Sequence, residues 1–377
     1  MKKNILIIAG EPSGDIRAGE LIKELKKFLP EVHFWGIGGD RMEAEGVELI
    51  KHVRHFSIIG VWEAIKKLPQ IHRQFKDVVK NARERKPFLA VLVDYPGFNL
   101  KLAAFLHGEK IPVIYYIIPQ IWAWGGGRIK LLKRYLDKAL VLFGFEEKLL
   151  KSFGINCEFV GHPLLDSMPE RETRDSSSGS LIIALLPGSR KTEIASMFPL
   201  MLDAAEMILK KRKNVNFVVA ENSNIDKALY DAALAGHSSL RVKRVKDKTF
   251  DCLNECDFAI VTSGTATLET AVMEKPMVIS YRTSALTAAL FRLFAKTTRI
   301  GLVNIIAGKE IAPEILQEDA TPENLSQKVL EIINDENRMR DIKQELKKVK
   351  ECLGGEGASR KAAAAVYEFI KTRGLLA

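Results

Sequence analysis

Short, continuous apolar runs alternate along this chain with longer stretches in which apolar and polar residues recur at helical spacing. Residues 4–9, 32–35, 88–93, 112–117 and 138–143 are runs of the first kind, too short for helices and without strict alternation. A strand buried on both faces of a sheet reads this way, so each run predicts a strand of a covered parallel sheet. Helical patterns separate them, the first over about 14–29, and this alternation builds βαβ units.

The pattern then restarts. Residues 171–180 (RETRDSSSGS) are polar and Ser-rich, as a linker or surface loop is. Beyond them come predicted strands at 181–186, 215–220, 258–261 and 277–280, with helices near 193–211 and 266–274. Residues 321–350 are charged and helical, and CLGGEG (352–357) breaks the pattern before a last helix over 358–371. That helix is detached enough to pack on either domain or on another subunit. Two α/β domains with a boundary between about 163 and 180 account for the 377 residues, at ~150 residues per domain.

Composition narrows the class. With 47% apolar and 28% charged residues the chain is ordinary globular protein, neither disordered nor a disulfide-stapled miniature. Its four cysteines (Cys157, Cys252, Cys256, Cys352) are too scattered for a disulfide or zinc framework, which favours a reducing cytosol. No apolar run approaches the ~20 residues of a membrane span, and the five-residue apolar core near the start is too short for a signal peptide. The net charge of +10 is local: residues 51–150 hold 18 Lys and Arg against 8 Asp and Glu, and the rest cancels. Such a field suits an anionic partner, whether nucleic acid, acidic lipid or a phosphorylated substrate.

Several strand exits carry chemistry. The first strand runs into AGEPSGD (9–15), whose glycines allow close backbone approach ahead of a helix N-terminus. The spacing is not the dinucleotide fingerprint, and Glu11 and Asp15 put negative charge where a pyrophosphate would sit, so NAD is not expected. In LLPGSR (185–190), Gly188 and Ser189 offer backbone N–H groups and Arg190 a bidentate fork. In TSGTATLE (262–269), Ser263, Thr265 and the free N–H groups suit a diphosphate, and Glu269 a ribose diol. Each junction alone also reads as helix capping; together they favour a nucleotide-diphosphate crevice. Asp94, leaving the strand at 88–93 into DYPGFN, reads either as a general base or as the cap of the next helix. An ordinary Asp, at a pKa of ~3.9, is a feeble base, so burial would have to raise it.

Other features stay open between two uses. No two of the seven histidines show metal spacing; His52, His55 and His72 read as solvated, while His162 in GHP suits a ligand contact or a hinge hydrogen bond. Apolar residues at 58, 61, 62, 65, 68, 71, 75, 78 and 79, interrupted at Pro69 and bordered by Lys66, Lys67, Arg73, Lys76 and Lys80, form an interfacial amphipathic helix or one packed on the sheet. Tyr115, Tyr116, Trp122, Trp124 and Arg128 suit stacking on sugars or bases, or the core.

AGEPSGD, DYPGFN, PQIWAW, FVGHPLLD, LLPGSR, TSGTATLE and GLVNIIAGKEIAPEILQ occur in this order. The ordered set resembles the lipid-A-disaccharide synthases, bacterial inverting glycosyltransferases, over about residues 4–319. The resemblance implies an α/β protein of two Rossmann-like domains with parallel sheets facing a central cleft, the GT-B arrangement. Residues 1–165 would form the acceptor and membrane-docking domain and 166–352 the UDP-sugar domain. Residues 353–377 would be a helix packing on the N-terminal domain in cis or exchanged with a partner in a homodimer.

It also implies the reaction: UDP-2,3-diacylglucosamine donates its sugar to the 6-hydroxyl of 2,3-diacylglucosamine 1-phosphate, giving a β-1′,6-linked disaccharide phosphate and UDP. Asp94 would be the base. Gly188, Ser189, Arg190, Ser263, Gly264 and Thr265 would hold the UDP phosphates and Glu269 the ribose, with Asn304 and Gln317 in the donor site. Ser13, Gly14, Asp15, Trp122 and His162 would line the cleft. Ile58, Val61, Trp62, Ile65, Lys66 and Lys67 would dock on the cytosolic face of the inner membrane. No cofactor, metal or nucleic acid is expected. The rival expectations are another UDP-sugar enzyme, such as a glucosaminyltransferase of peptidoglycan assembly or an epimerase, and, further off, a nucleic-acid-binding protein.

Overall fold

A computed structural model describes residues 3–55, 61–124, 127–169, 179–283 and 299–376, with His55, 61–68, Ala123 and Trp124 described through their backbone alone. The chain divides into two compact units, Met1–Asp166 with Leu353–Ala377, and Ser167–Cys352.

The first unit holds strands β1 (Asn4–Ala9), β2 (His33–Gly38), β3 (Glu48–His52), β4 (Leu89–Val93), β5 (Val113–Tyr116), β6 (Lys138–Val141) and β7 (Cys157–Phe159). They form one sheet in the order β3-β2-β1-β4-β5-β6-β7, every pairing parallel. The second unit holds β8 (Leu181–Leu186), β9 (Val215–Glu221), β10 (Val242–Lys246), β11 (Phe258–Thr262), β12 (Met277–Tyr281) and β13 (Glu314–Leu316), ordered β10-β9-β8-β11-β12-β13 and again parallel. Both orders are doubly wound, reversing direction between β1 and β4 and between β8 and β11.

Burial explains which strands the apolar pattern reveals. Ile5–Ala9 and Leu89–Val93 have no exposed surface, because helices cover both faces. The edge strands β3 and β10 carry exposed Glu48, Lys51 and Lys243, so their polar residues hide them from a search for apolar runs. Tyr115 and Tyr116 are fully buried in the first core, which removes them from the expected stacking surface.

Helix boundaries follow local chemistry. The first helix, Pro12–Phe28, starts two residues earlier than expected because Pro12 occupies its first turn. The predicted helix over 321–350 is two, Pro322–Ile333 and Glu336–Glu351; Asp335 starts the second by accepting from the Arg338 N–H at 3.0 Å. The basic helix Val61–Arg85 runs through Pro69 without the expected interruption. Its later turns bury Val78 and Ala82 and pack Ile71 and Phe75 on the core, so this half is an ordinary sheet-covering helix. The side chains of Val61, Trp62, Ile65, Lys66 and Lys67, and the whole of Ile58, lie outside the described residues.

The last helix, Ala358–Thr372, packs on the first helix of its own chain. Tyr367 stacks on Phe28 at 5.1 Å, and the Asp166 carboxylate accepts from the Gly357, Ala358 and Ser359 N–H groups at 2.5 to 3.3 Å, capping the helix. No helix among the described residues is long and apolar enough to cross a membrane.

Candidate active site

In the first unit the strand order reverses between β1 and β4, and Ala9 lies in register with Val93. Helices leaving neighbouring strands to opposite faces open a crevice at the carboxyl ends there. The chain leaves β1 through Gly10 and Glu11, and β4 through Asp94 and Tyr95. Asp94 and Tyr95 both take left-handed backbone conformations, at φ 48° and 50°. Such conformations cost on the order of 1–3 kcal/mol each and survive only where surroundings enforce them.

The enforcement is visible. The Asp94 N–H donates to Tyr116 O at 3.0 Å, and the Asp94 carbonyl accepts from Asn99 Nδ2 at 2.7 Å and the Tyr115 hydroxyl at 2.6 Å. The Tyr95 ring stacks on Phe98 at 5.5 Å and lies flat over Gly10, where a Cβ would stand 2.2 Å from the ring. Glycine at 10 is therefore what lets the two strand exits touch. Tyr95, rather than Asp94, holds the cap position of the helix Pro96–Gly108, so Asp94 is not spent as a helix cap. Burial, and secondarily the negative charge of Glu11, push the half-buried Asp94 carboxyl up to about 6 against a modest pull from the Tyr95 N–H.

The other expected residues of this unit have different duties. Ser13 is exposed beside the exit, and Gly14 is buried, where an added Cβ would meet Ala9 Cβ at 3.6 Å. Asp15 is buried and turned away from a ligand. Its carboxylate accepts from the Gly39, Arg41 and Met42 N–H groups at 2.6, 3.0 and 3.1 Å, which caps the short helix Asp40–Ala44. Trp122 donates its indole N–H to Glu146 at 3.2 Å and meets Phe145 edge-on. Glu146 is itself buried, which pushes its carboxyl up to about 7. His162 is tied down within the first unit: its backbone N–H donates to Leu353 O at 2.8 Å, and its Nδ1 accepts from the Leu164 N–H at 3.1 Å. Burial drives its pKa down to about 4, so the ring is neutral.

In the second unit the reversal falls between β8 and β11. Gly188 follows β8 at φ 112°, with Glu193 folded against it; a Cβ there would lie 2.7 Å from Glu193 Cβ. The Glu193 carboxylate accepts from the Ser189 and Arg190 N–H groups at 3.0 and 3.2 Å, and from Arg190 Nη1 at 3.4 Å. This corrects the expectation for Ser189, whose N–H is already held by a capping carboxylate. The Arg190 guanidinium, whose side chain is 69% exposed, stays open to an anion.

After β11, Gly264 starts the helix Thr265–Val272 in open space, and Ser263 donates to Ile300 O at 3.3 Å. Gly264 and Thr265 are exposed; the Thr267 N–H donates back to Gly264 O at 3.1 Å, and the N–H groups of the first two residues have no i−4 carbonyl within the helix. Glu269 sits half-buried one turn further on. Gln317, left-handed at φ 54°, accepts from the Thr283 N–H at 3.3 Å and ties β13 to the end of β12.

Asn304 is a second correction. It is fully buried, donating to Ala312 O and Glu314 at 2.7 and 2.8 Å and accepting from the Ile311 and Ala312 N–H groups at 2.8 and 3.0 Å. Its amide has no capacity left for a donor sugar.

Glu11 was read as a deterrent to pyrophosphate, yet it stands beside the most perturbed carboxyl of the exit. Tyr281, which the pattern gave no reason to single out, ends β12 within electrostatic reach of Arg190 and Glu193. Among the described residues Asp40, Glu43 and His52 gather within 4.8 Å of one another, but Asp40 is already paired with Arg54 at 2.5 Å and His52 at 3.2 Å.

Two units, each a doubly wound parallel sheet with its helices, place the chain in the GT-B fold class. Solved structures share this fold: a UDP-N-acetylglucosamine 2-epimerase from Neisseria meningitidis bound to UDP-N-acetylglucosamine (TM-score 0.58, 11% identity, 98% of this chain and 100% of that one), and a transferase from Siraitia grosvenorii in complex with UDP (TM-score 0.59, 10% identity, 98% and 100%). The chain belongs to the lipid-A-disaccharide synthase family, whose model, described as lipid-A-disaccharide synthetase, matches residues 5–369. Similar relatives are the lipid-A-disaccharide synthase of Syntrophus aciditrophicus, 36% identical over 98% of both chains, and lipid-A-disaccharide synthase 1 of Legionella pneumophila, 39% identical over 94% of both. It is a glycosyltransferase enzyme of lipid A biosynthesis.

The buried Glu146 makes a prediction about stability. Its folded pKa of about 7 lies above the ordinary 4.5, so folding favours the protonated form. The stability tied to that proton is present below about pH 4.5 and is lost as pH rises through 7. Glu146→Gln keeps an acceptor for Trp122 and removes the proton. Denaturant midpoints at pH 5 and pH 8 should show the wild type losing up to about 2–3 kcal/mol more than the variant over that interval; equal losses would place the group's titration elsewhere.

Proposed function

We propose that this enzyme transfers 2,3-diacylglucosamine from UDP-2,3-diacylglucosamine to the 6-hydroxyl of 2,3-diacylglucosamine 1-phosphate. The products would be the β-1′,6-linked disaccharide 1-phosphate and UDP. The observation that carries the reading is Asp94, a carboxyl held on a strained elbow at the reversal point and shifted up to about 6. That value leaves it ionised at neutral pH yet far more basic than an ordinary Asp, as a general base requires.

The chemistry is a single displacement. As the acceptor's 6-oxygen attacks the anomeric carbon, its proton passes to the Asp94 carboxylate. The bond from that carbon to the diphosphate oxygen breaks on the opposite side, so the configuration inverts. Negative charge grows on the departing UDP, where Arg190 and the N-terminus of the Thr265–Val272 helix would receive it. We assign charge stabilisation to these groups and propose that no metal is needed. Ser263, Gly264 and Thr265 would contact the phosphates, Glu269 the ribose, and Gln317 the donor side of the site. Acyl chains on both substrates require access from a bilayer. The start of the basic helix, with Ile58, Val61, Trp62, Ile65, Lys66 and Lys67, would supply the docking surface on the cytosolic face of the inner membrane.

The purified protein, given both acylated substrates and a chelator of divalent metals, should form disaccharide and UDP. Equal turnover of an unacylated acceptor would favour a different UDP-sugar reaction. Asp94→Asn should cut kcat by roughly 10²–10⁴-fold while UDP still binds; undiminished turnover would remove Asp94 from the mechanism.

Arg190→Ala tests the anion site separately. Loss of a charge-assisted contact, about 1.5–3 kcal/mol, should weaken UDP binding roughly tenfold to a hundredfold by calorimetry. Unchanged affinity would mean that Arg190 serves only its Glu193 cap.

A further inference from the structure

The exit of β1 lies against the exit of β4, and each carries a carboxylate. Ala9 and Val93 are register partners; Asp94 is one residue past its strand and Glu11 two past its own. The flat contact of the Tyr95 ring on Gly10 holds the two exits together. Glu11 occupies the cap position of the helix Pro12–Phe28, yet its side chain makes no capping bond, so this acidic group is not used where such groups ordinarily are. It is exposed, and no ion pair engages it among the described residues.

The other groups facing Asp94 carry no negative charge at neutral pH. Tyr95 follows it in the chain, and burial, with Glu11 adding to it, raises that phenol. Tyr115, from β5, donates its hydroxyl to the Asp94 carbonyl, and burial raises it well above the ordinary range. Arg128 acts on Tyr115 from further out. Glu11 is left as the negative neighbour.

We propose that Glu11 is a positioning residue for Asp94: its carboxylate, carried on the β1 exit that touches the β4 exit, disfavours a second negative charge there and so keeps Asp94 a competent proton acceptor. This rests on reading Asp94 as the base. A like charge nearby disfavours ionisation and raises basicity, and a stronger base takes the acceptor's proton more readily in the transition state. Glu11 touches neither the transferred sugar nor the proton in this scheme, and its exposure screens its field and keeps the effect modest.

The test uses the full chain labelled with 13C at the Asp carboxyl carbons, the Asp94 resonance being identified by its loss in Asp94→Asn. Glu11→Gln should move the Asp94 titration to lower pH by roughly half a unit to one unit. The acid limb of kcat/KM should move with it, and kcat at pH 8 should fall about two- to fivefold, with UDP affinity unchanged. Glu11→Asp should restore most of the shift, a rescue that a role in holding the loop's shape would not give. An Asp94 titration unmoved in Glu11→Gln would overturn the inference and leave the assignment of Asp94 as base intact. A titration that moves while the kinetic limb stays would instead sink that assignment, and with it any catalytic meaning for Glu11.

Discussion

Parallel strands cannot be joined by tight turns, and this constraint organises everything else. Each strand must return through a crossover, so all exits gather on one edge of each sheet and all helices cover its faces. Covered on both faces, β1, β4, β8 and β11 are apolar throughout but for Asn4 at the start of β1 and Thr262 at the end of β11. Polar chemistry is thereby swept to the strand exits, and the reversal of strand order picks out the pair of neighbouring exits from which the chain departs to opposite faces.

The two units use that geometry with opposite sign. At the β1/β4 reversal the first unit places carboxyls, Glu11 and Asp94, with Asp94 raised by burial. At the β8/β11 reversal the second unit places an exposed guanidinium and an exposed helix N-terminus. The proposed transfer, which takes a proton from one partner and leaves charge on the other, would need both kinds of surroundings. A carboxylate beside the diphosphate would repel the leaving group, and a guanidinium beside the base would lower its basicity. On that proposal, dividing them between separate sheets would keep the two demands from interfering.

What the amino-acid pattern revealed, and what it hid, follows from the same physics. The central strands were legible because burial on two faces leaves an unbroken apolar run, and β1 and β8 match residue for residue. The edge strands were not, since β3 and β10 are half solvated and β7 and β13 only three residues long. Asp94 was legible from position alone, being the first polar residue after a buried strand. Asp15 and Asn304 were misread because proximity to a motif says nothing about where a side chain turns. Asp15 was needed to cap the Asp40–Ala44 helix, and Asn304 to pin the chain at Ile311 and Ala312. The capping of Gly188–Arg190 did leave a trace, for Glu193 stands three residues after the cap position.

Three carboxyls of the first unit illustrate why burial alone does not make a base. Asp15 is more deeply buried than Asp94, yet its carboxylate is taken up by the Gly39, Arg41 and Met42 N–H groups, which it caps. Glu146 is likewise raised by burial, but its oxygens are engaged by Trp122 and by the backbone at Leu142 and Phe143, so its proton is a matter of folding. Asp94 combines partial burial with a single N–H, that of Tyr95, in the balance of its charge. Its main-chain atoms, by contrast, are bonded to Tyr116, Asn99 and Tyr115. Fixing the backbone while leaving the carboxylate under-solvated is what separates a group that can receive a proton from one that merely holds the fold.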